Sequence, residues 1–367
     1  MIEHVTLSNA GALDAFVEAH PRGHFMQSSR WGRVKSDWNW HGLICRNSQG
    51  RIVGTLALLE HPCRLPGSCL LYGPRGPICD DARTFRVLVN AARDYGLERG
   101  AWALRLDPER DEGDLAFRSL VRGLGFSVNG AEDFSLFQPR LCYVLELSGR
   151  TEAELLEGYH RSTRYNVRHA LRGPLTVRLG GPESLPAFCV LMEETAARNG
   201  FEPRRESYFR ALLEGLGDCA RLWLAELEGR IVAGAITAVW GNTGSLLYSC
   251  SDGEGQRQHA NELLEYYAQL DALRNCCGRF DFRGVEGRPA EDNPAIGLHR
   301  YKQGFGAEFH AWIGQLELVL RPGIARLYRF YTLLQSRGSI PAAPYIVKSA
   351  ADQAAAFRSG WQQSGIC

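Results

Sequence analysis

Two tandem domains of one α/β (α+β) plan are predicted by three features of this sequence. Its 367 residues exceed what a single ordinary hydrophobic core organises. Strand-like runs alternate with helical stretches, the pattern of helices layered on sheets. The same alternation then occurs a second time, in matching order.

The matching segments can be followed in order. Gly50-Arg-Ile-Val-Gly-Thr-Leu-Ala57, a turn running into a strand, has its counterpart in Gly229-Arg-Ile-Val-Ala-Gly-Ala-Ile236. Leu70-Leu71-Tyr72-Gly73 corresponds to Leu246-Leu247-Tyr248-Ser249. Helical stretches over 85–99 and 262–274 follow. They run into the alternating strands Ala103-Leu104-Arg105-Leu106-Asp107 and Arg279-Phe280-Asp281-Phe282-Arg283. The offset between the halves stays nearly constant throughout. Helices, a strand meander, a helix packed on the sheet and a further strand make an order that resembles the acetyltransferase-like (GNAT) fold. Two GNAT-like domains are therefore expected, over 1–147 and 148–320. Their boundary falls where a strand over 141–147 gives way to Ser148-Gly149-Arg150. In the remaining segment, 321–367, a helix over 324–334 is expected to pack back on the first domain, ahead of a flexible Ala-, Ser- and Gly-rich tail.

Composition narrows the function classes. With 45% hydrophobic and 23% charged residues the chain reads as globular rather than disordered. A formal net charge of +1 gives no global field to recruit polyanions, so binding of nucleic acid or phosphate must rest on a local patch. Met1-Ile2-Glu3-His4-Val5 lacks the basic start and apolar run of a signal peptide. The most apolar stretch, 231–250, is interrupted by Gly241-Asn242-Thr243-Gly244, which is turn chemistry between strands and foreign to a membrane span. The eleven cysteines are scattered without a C-x-x-C pair, and the adjacent Cys276-Cys277 finds no second pair at matching spacing. Reduced thiols, no bound metal and a cytoplasmic location are expected.

A GNAT-like fold raises the question of acetyl-CoA, whose pyrophosphate sits on backbone N–H groups at a helix N-terminus. The first half offers Gly73-Pro74-Arg75-Gly76-Pro77, whose prolines remove two donors. The second offers Gly253-Glu254-Gly255-Gln256-Arg257-Gln258-His259-Ala260, with His259 where glycine is wanted. Neither makes a CoA loop. Six ordered motifs carry another resemblance. They are Phe25-Met-Gln-Ser-Ser-Arg-Trp-Gly-Arg-Val-Lys35, Tyr72-Gly-Pro-Arg-Gly-Pro77 and Leu104-Arg-Leu-Asp-Pro108 in the first half. The second half holds His160-Arg-Ser-Thr-Arg-Tyr-Asn-Val-Arg-His-Ala170, Phe282-Arg-Gly-Val-Glu-Gly287 and Tyr301-Lys-Gln-Gly-Phe-Gly306. Together they resemble the Fem family of aminoacyl-tRNA-dependent non-ribosomal peptidyltransferases, across the whole chain except the tail. The long antiparallel helical arm of some members has no counterpart here, since no charged heptad stretch of that length occurs. The chain thus resembles the compact branch that acts on nucleotide-linked precursors, with a lipid-linked acceptor still open.

The resemblance implies attack of an amine on the ester of an aminoacyl-tRNA, with no cofactor beyond that co-substrate. An ester is already activated, so alignment and stabilisation of a tetrahedral oxyanion suffice. Lys302, with Tyr301 beside it, matches the family position implied to meet that charge. Lys35 shares a helical face with Trp31 and, by resemblance, contacts the acceptor diphosphate. Arg204 and Tyr208 match a family Arg-x-x-x-Tyr pair at the acceptor, a role that the planar guanidinium fork suits and that the neighbouring Arg205 competes for. Asp107 matches an acidic residue near the acceptor, against the plainer reading of an Asp-Pro turn. Tyr248 matches a substrate tyrosine, against a buried strand tyrosine. Arg161, Arg164, Arg168 and Arg172 form one basic stripe on a helix, a solvated face or a guide for the acidic tRNA acceptor arm. His259 and His299, lone histidines, take no role. The expected acceptor is the stem-peptide amine of UDP-MurNAc-pentapeptide or lipid II, with peripheral membrane contact in the latter case. A monomer is expected. A natural-product amine as acceptor, an acetyl-CoA-dependent N-acetyltransferase and a non-catalytic precursor-binding protein stand as the alternatives.

Overall fold

The computed structural model describes residues 1–63 and 67–336, with side chains through 330 at its C-terminal end. The chain forms two compact units. The first comprises Met1–Ala131, Leu136–Arg140 and the chain from Trp312 through the last described helix. The second comprises Glu132–Ser135 and Leu141–Ala311. Each is built on one sheet, of eight strands in the first unit and seven in the second.

The repeat seen in the sequence is a repeat of topology. In the first sheet Asn39–Arg46, Ile52–Pro62 and Cys69–Gly73 form an antiparallel meander, and Ala101–Leu106 then adds parallel to Cys69–Gly73. In the second, Ala220–Leu227, Arg230–Trp240 and Thr243–Ser251 do the same, with Arg279–Gly284 added in parallel. A parallel addition needs a crossover, and helices Ala82–Glu98 and Ala260–Arg274 supply it. Ala82–Glu98 starts at Asp81, whose carboxylate accepts the Thr84 N–H at 2.8 Å. It buries Phe85, Leu88, Val89, Ala92 and Gly96, a helical stripe laid on the sheet. Ala260–Arg274 is buried more widely, and two polar residues, Glu265 and Gln269, lie on its buried side.

The structure corrects both predicted domain edges. Leu141–Glu146, assigned from the sequence to the first domain, pairs with Arg279–Gly284 and Glu308–Ala311 in the second sheet. Gln315–Val319, assigned to the second, pairs with Ala101–Leu106 and Ser127–Asn129 in the first. The physical reason is common to both. The parallel strand that ends each meander would be an unpaired edge, and each receives its antiparallel cover from the other half of the sequence. The last helix, Pro322–Ser336, buries Ala325 against Leu70, Trp102 and Ala103 of the first unit and stacks Tyr328 on Trp102. The predicted tail lies outside the described residues. Among the described residues the longest helices of the second unit have 15 residues, and none in the chain is long and apolar enough to cross a membrane.

At the centre of the second core, fully buried Phe305 meets the rings of Tyr159, Phe282 and Tyr301 at 5.1–5.4 Å between centroids. Phe305→Ala opens a cavity there, and urea unfolding is expected to show a loss of about 3–5 kcal/mol.

Candidate active site

In the second unit the site forms where the parallel strands Thr243–Ser251 and Arg279–Gly284 part. Their pairing ends at Ser245 and Asp281, and pairing with Leu141–Glu146 slips between Asp281 and Gly284. The slip is a bulge, and Arg283 sits in it with φ of 61°. A bulge takes carbonyls out of the ladder, and those carbonyls need donors. Lys302, on helix Ile296–Gly304, provides them. Its Nζ donates to the carbonyls of Phe282, Arg283 and Gly284 at 2.8, 3.1 and 2.7 Å. Burial lowers its pKa from 10.5 to about 8, while Asp281 and Glu265 pull it back up. All three ammonium hydrogens are thus committed to the bulge, and contact with an oxyanion requires one of these bonds to be exchanged. Tyr301, its neighbour, turns its hydroxyl into the core towards Glu265.

Around the bulge the structure gathers three of the predicted binding residues. The Arg204 guanidinium lies 5.5 Å over the Tyr208 ring, and the Tyr248 hydroxyl donates to that of Tyr208 at 3.3 Å. Burial, then the neighbouring Tyr248, raises the Tyr208 hydroxyl well above its ordinary pKa, with Arg204 and Arg283 opposing. Arg204 is exposed, and Arg205 caps the following helix without a side-chain contact to its backbone. Two residues of this site went unread in the sequence. Asp281 accepts the Arg283 N–H at 2.7 Å and lies 3.5 Å from the Arg283 guanidinium, so the pair shapes the bulge. The available signal was the alternation Asp281-Phe282-Arg283 itself. His299 is structural, its ring nitrogens facing the Tyr143 hydroxyl at 3.0 Å and the Glu286 carbonyl at 3.2 Å.

The first unit holds Lys35 and Asp107. Asp107 is 3% exposed, and its carboxylate accepts from the Tyr72 hydroxyl at 2.5 Å and the Arg75 N–H at 2.6 Å. These two bonds make it a strut for the 72–77 turn, in which Arg75 takes a positive φ of 57°. Gln27 secures the turn from the other side, donating to the carbonyls of Pro74 at 2.7 Å and Ala57 at 3.1 Å. A Cβ on Gly76 would lie 2.5 Å from the Gln27 side chain, so only glycine fits there. Tyr72 and Arg75 are thus further residues that the sequence reading passed over. Lys35 closes helix Ser29–Val34, with its ammonium 5.0 Å over the Trp31 ring, as the shared helical face predicts. Its carbonyl accepts from Trp38, whose ring meets Tyr72 at 6.4 Å, which links Lys35 to the Tyr72–Asp107 pair.

The basic stripe lies on helix Arg161–Arg172 and lines a shallow groove of ≈ 530 Å³ with Tyr165 and His169. Arg164 and Arg168 share Glu157, which spends part of their charge within the fold. Arg161 and Arg172 have no ion pair among the described residues, and Tyr165 beside them is 64% exposed. At the expected CoA position of this unit, the Asp252 carboxylate already accepts the Gly255 N–H at 2.7 Å, and His259 adopts a φ of 57°. The helix start there is capped by a carboxylate of the chain itself.

A tandem GNAT-like scaffold with a lysine-held bulge in its second sheet defines the class. The chain belongs to the FemAB family, whose model matches residues 9–231 and 228–335. Among curated proteins it is similar to the lipid II:glycine glycyltransferase of Staphylococcus saprophyticus, 26% identical with 84% of this chain and 91% of that one covered. Its fold is similar to that of the crystal structure of FemX, with a TM-score of 0.81 at 22% identity over 89% of this chain and 99% of that one. A tandem GNAT protein from the clavulanic acid biosynthesis pathway shares the fold more loosely, with a TM-score of 0.52 at 14% identity over 88% and 99%.

Burial raises the Glu265 carboxyl from 4.5 to about 8, with Glu262 adding to the rise and Tyr301 and Lys302 opposing it. The folded chain thus keeps a proton that the unfolded chain releases, which favours folding at low pH and is withdrawn as pH climbs towards 8. The Lys302 shift acts only above about pH 8, so it leaves this window untouched. Glu265→Gln has no such proton to lose. Between about pH 5 and pH 8 the melting temperature of the wild type is expected to fall relative to that of Glu265→Gln, read by calorimetry at each pH.

Proposed function

We propose that this protein transfers an amino acid from an aminoacyl-tRNA to an amine on the stem peptide of a diphosphate-linked peptidoglycan precursor. The observation that carries this reading is the bulge at Phe282–Gly284, held by a buried cation and flanked by Arg204, Tyr208 and Tyr248. The chain is an aminoacyltransferase. In the reaction the amine nitrogen bonds to the ester carbonyl carbon, the carbon–oxygen bond to the ribose breaks, and the proton lost by the amine ends on the ribose oxygen. Negative charge gathers on the carbonyl oxygen in between, and a preorganised cation in a water-poor site stabilises it. Lys302 is that cation, releasing one bulge carbonyl as it engages the oxyanion.

Arg204 in the second unit and Lys35 in the first are each a cation backed by an aromatic ring, and each by itself suits a phosphate group. Among the two carriers, the lack of a long helical arm among the described residues points to a nucleotide, whereas the name of the curated relatives points to lipid II. The relatives align along nearly their whole length, and lipid II is the carrier we favour. The groove of Arg161, Arg172 and exposed Tyr165 supports contact with the tRNA, cations for phosphates and a ring for an unpaired base.

The deciding assay supplies charged tRNA with either lipid II or UDP-MurNAc-pentapeptide and follows the stem peptide by mass spectrometry. Product that disappears on ribonuclease treatment is expected, and ribonuclease-insensitive product would overturn the reading. Lys302→Met is expected to lower kcat by about 10²–10³ while the acceptor KM stays within about threefold. Arg161→Ala with Arg172→Ala is expected to raise the KM for charged tRNA and flatten its salt dependence, leaving the acceptor KM unchanged.

A further inference from the structure

Helix Ala260–Arg274 carries a seam of polar side chains, Asn261, Glu265 and Gln269, spaced one turn apart on one face. Glu265 is 2% exposed and Gln269 is fully buried. Two ends of the seam are tied down. The Tyr159 hydroxyl donates to Gln269 Oε1 at 2.6 Å, and Asn261 Nδ2 donates to Ser249 at 3.4 Å. Four atoms remain, all shut off from solvent: Asn261 Oδ1 and Gln269 Nε2 complete no hydrogen bond among the described residues, and Glu265 Oε2 and the Tyr301 hydroxyl face each other without close hydrogen-bond geometry. Each such atom costs about 1–3 kcal/mol. Folds tolerate this cost where the atoms serve a ligand.

The seam also says what kind of ligand. Asn261 Oδ1 and Glu265 Oε2 are acceptors one turn apart, one of them a carboxylate oxygen, and the Tyr301 hydroxyl stands against Glu265. The complement to acceptors around a buried carboxyl is a compact cation with several N–H donors, which is a primary ammonium. We propose that Glu265, with Asn261 and Tyr301, binds the α-ammonium of the amino acid that the tRNA ester carries. The inference rests on the aminoacyl-tRNA reading above. The ester carbonyl is bonded to the α-carbon, and the Lys302 ammonium lies within electrostatic reach of Glu265. An ammonium seated at the seam therefore sets the ester carbon beside the bulge that Lys302 holds. The seam selects aminoacyl donors over acyl groups without an amine, and so supplies the discrimination against acetyl donors that a GNAT-like scaffold requires. A cation there also returns the carboxyl, which burial pushes up to about 8, to its ionised form.

The test uses the full chain and two stable probes: adenosine carrying glycine through a 3′-amide, and the same adenosine carrying acetyl. Calorimetry on the wild type is expected to find the glycyl probe bound about tenfold to a hundredfold more tightly, the worth of one charge-assisted hydrogen bond. In Glu265→Gln that preference is expected to shrink to within about twofold, with the acceptor KM unchanged. Equal affinity of the two probes in the wild type overturns the proposal, as does a preference that persists in Glu265→Gln. Should that variant fail to fold, the wild-type comparison still decides. Transfer from charged tRNA by the wild type is measured alongside. Its absence overturns the donor reading and this inference together, whereas transfer without amine preference overturns this inference alone.

Discussion

The Lys302 ammonium lies in the core of the second unit, and it keeps its place because the strand beside it fails to continue. Where pairing slips after Asp281, three successive carbonyls lose their ladder partners, and one Nζ with three hydrogens answers them. The exchange is mutual. Without the lysine the bulge would bury unpaired acceptors, and without the bulge the lysine would bury an unpaired charge. Arg283 takes its positive φ inside this arrangement, Asp281 fixes the Arg283 backbone, and the opening beside Tyr248 follows from the divergence of the two parallel strands. Thr163 is drawn in as well. It presses on Gly304 so closely that a Cβ there would lie 2.2 Å from its hydroxyl, and the His160 N–H donates to the Gly304 carbonyl at 2.8 Å.

The two halves use one topological plan for different ends. Tyr72 and Tyr248 are repeat partners, as are Asp107 and Arg283 at the ends of the matching parallel strands. In the first half the tyrosine and the strand-end residue bind each other and lock a turn. In the second the strand end carries a cation instead, and the tyrosine is left to pair with Tyr208. The repeated fold accounts for where the side chains stand, and the replaced strand-end residue accounts for why the two strand ends differ in charge and in what they hold.

Much of this was legible in the sequence because the six motifs are contact partners written separately along the chain. Gln27 reaches the 72–77 turn, Asp107 reaches the same turn, and Lys302 reaches Phe282–Gly284. Each motif alone is weak, but their order along the chain is specific, and the structure brings several of them into contact. What stayed hidden has physical causes. A glutamate inside a helical pattern normally faces water, so Glu265 carries no local sign of burial. For Asp107 the sequence left a substrate contact and a turn-forming role side by side, because an aspartate at a strand end suits both. The domain edges were misplaced because β-pairing across long separations leaves no periodic trace.

That strand exchange bears on how the protein is made. Arg105 meets Glu317 at 2.7 Å across 212 positions of sequence, so the first sheet lacks its closing strand until nearly the whole chain has left the ribosome. During that interval the edge of Ala101–Leu106 and its apolar neighbours stand uncovered, a surface prone to pairing with another nascent chain. Neither half is a module that a cell could express, shuffle or lose on its own. Duplication supplied two copies of one plan, and the crossing strands bound them into a single unit of inheritance.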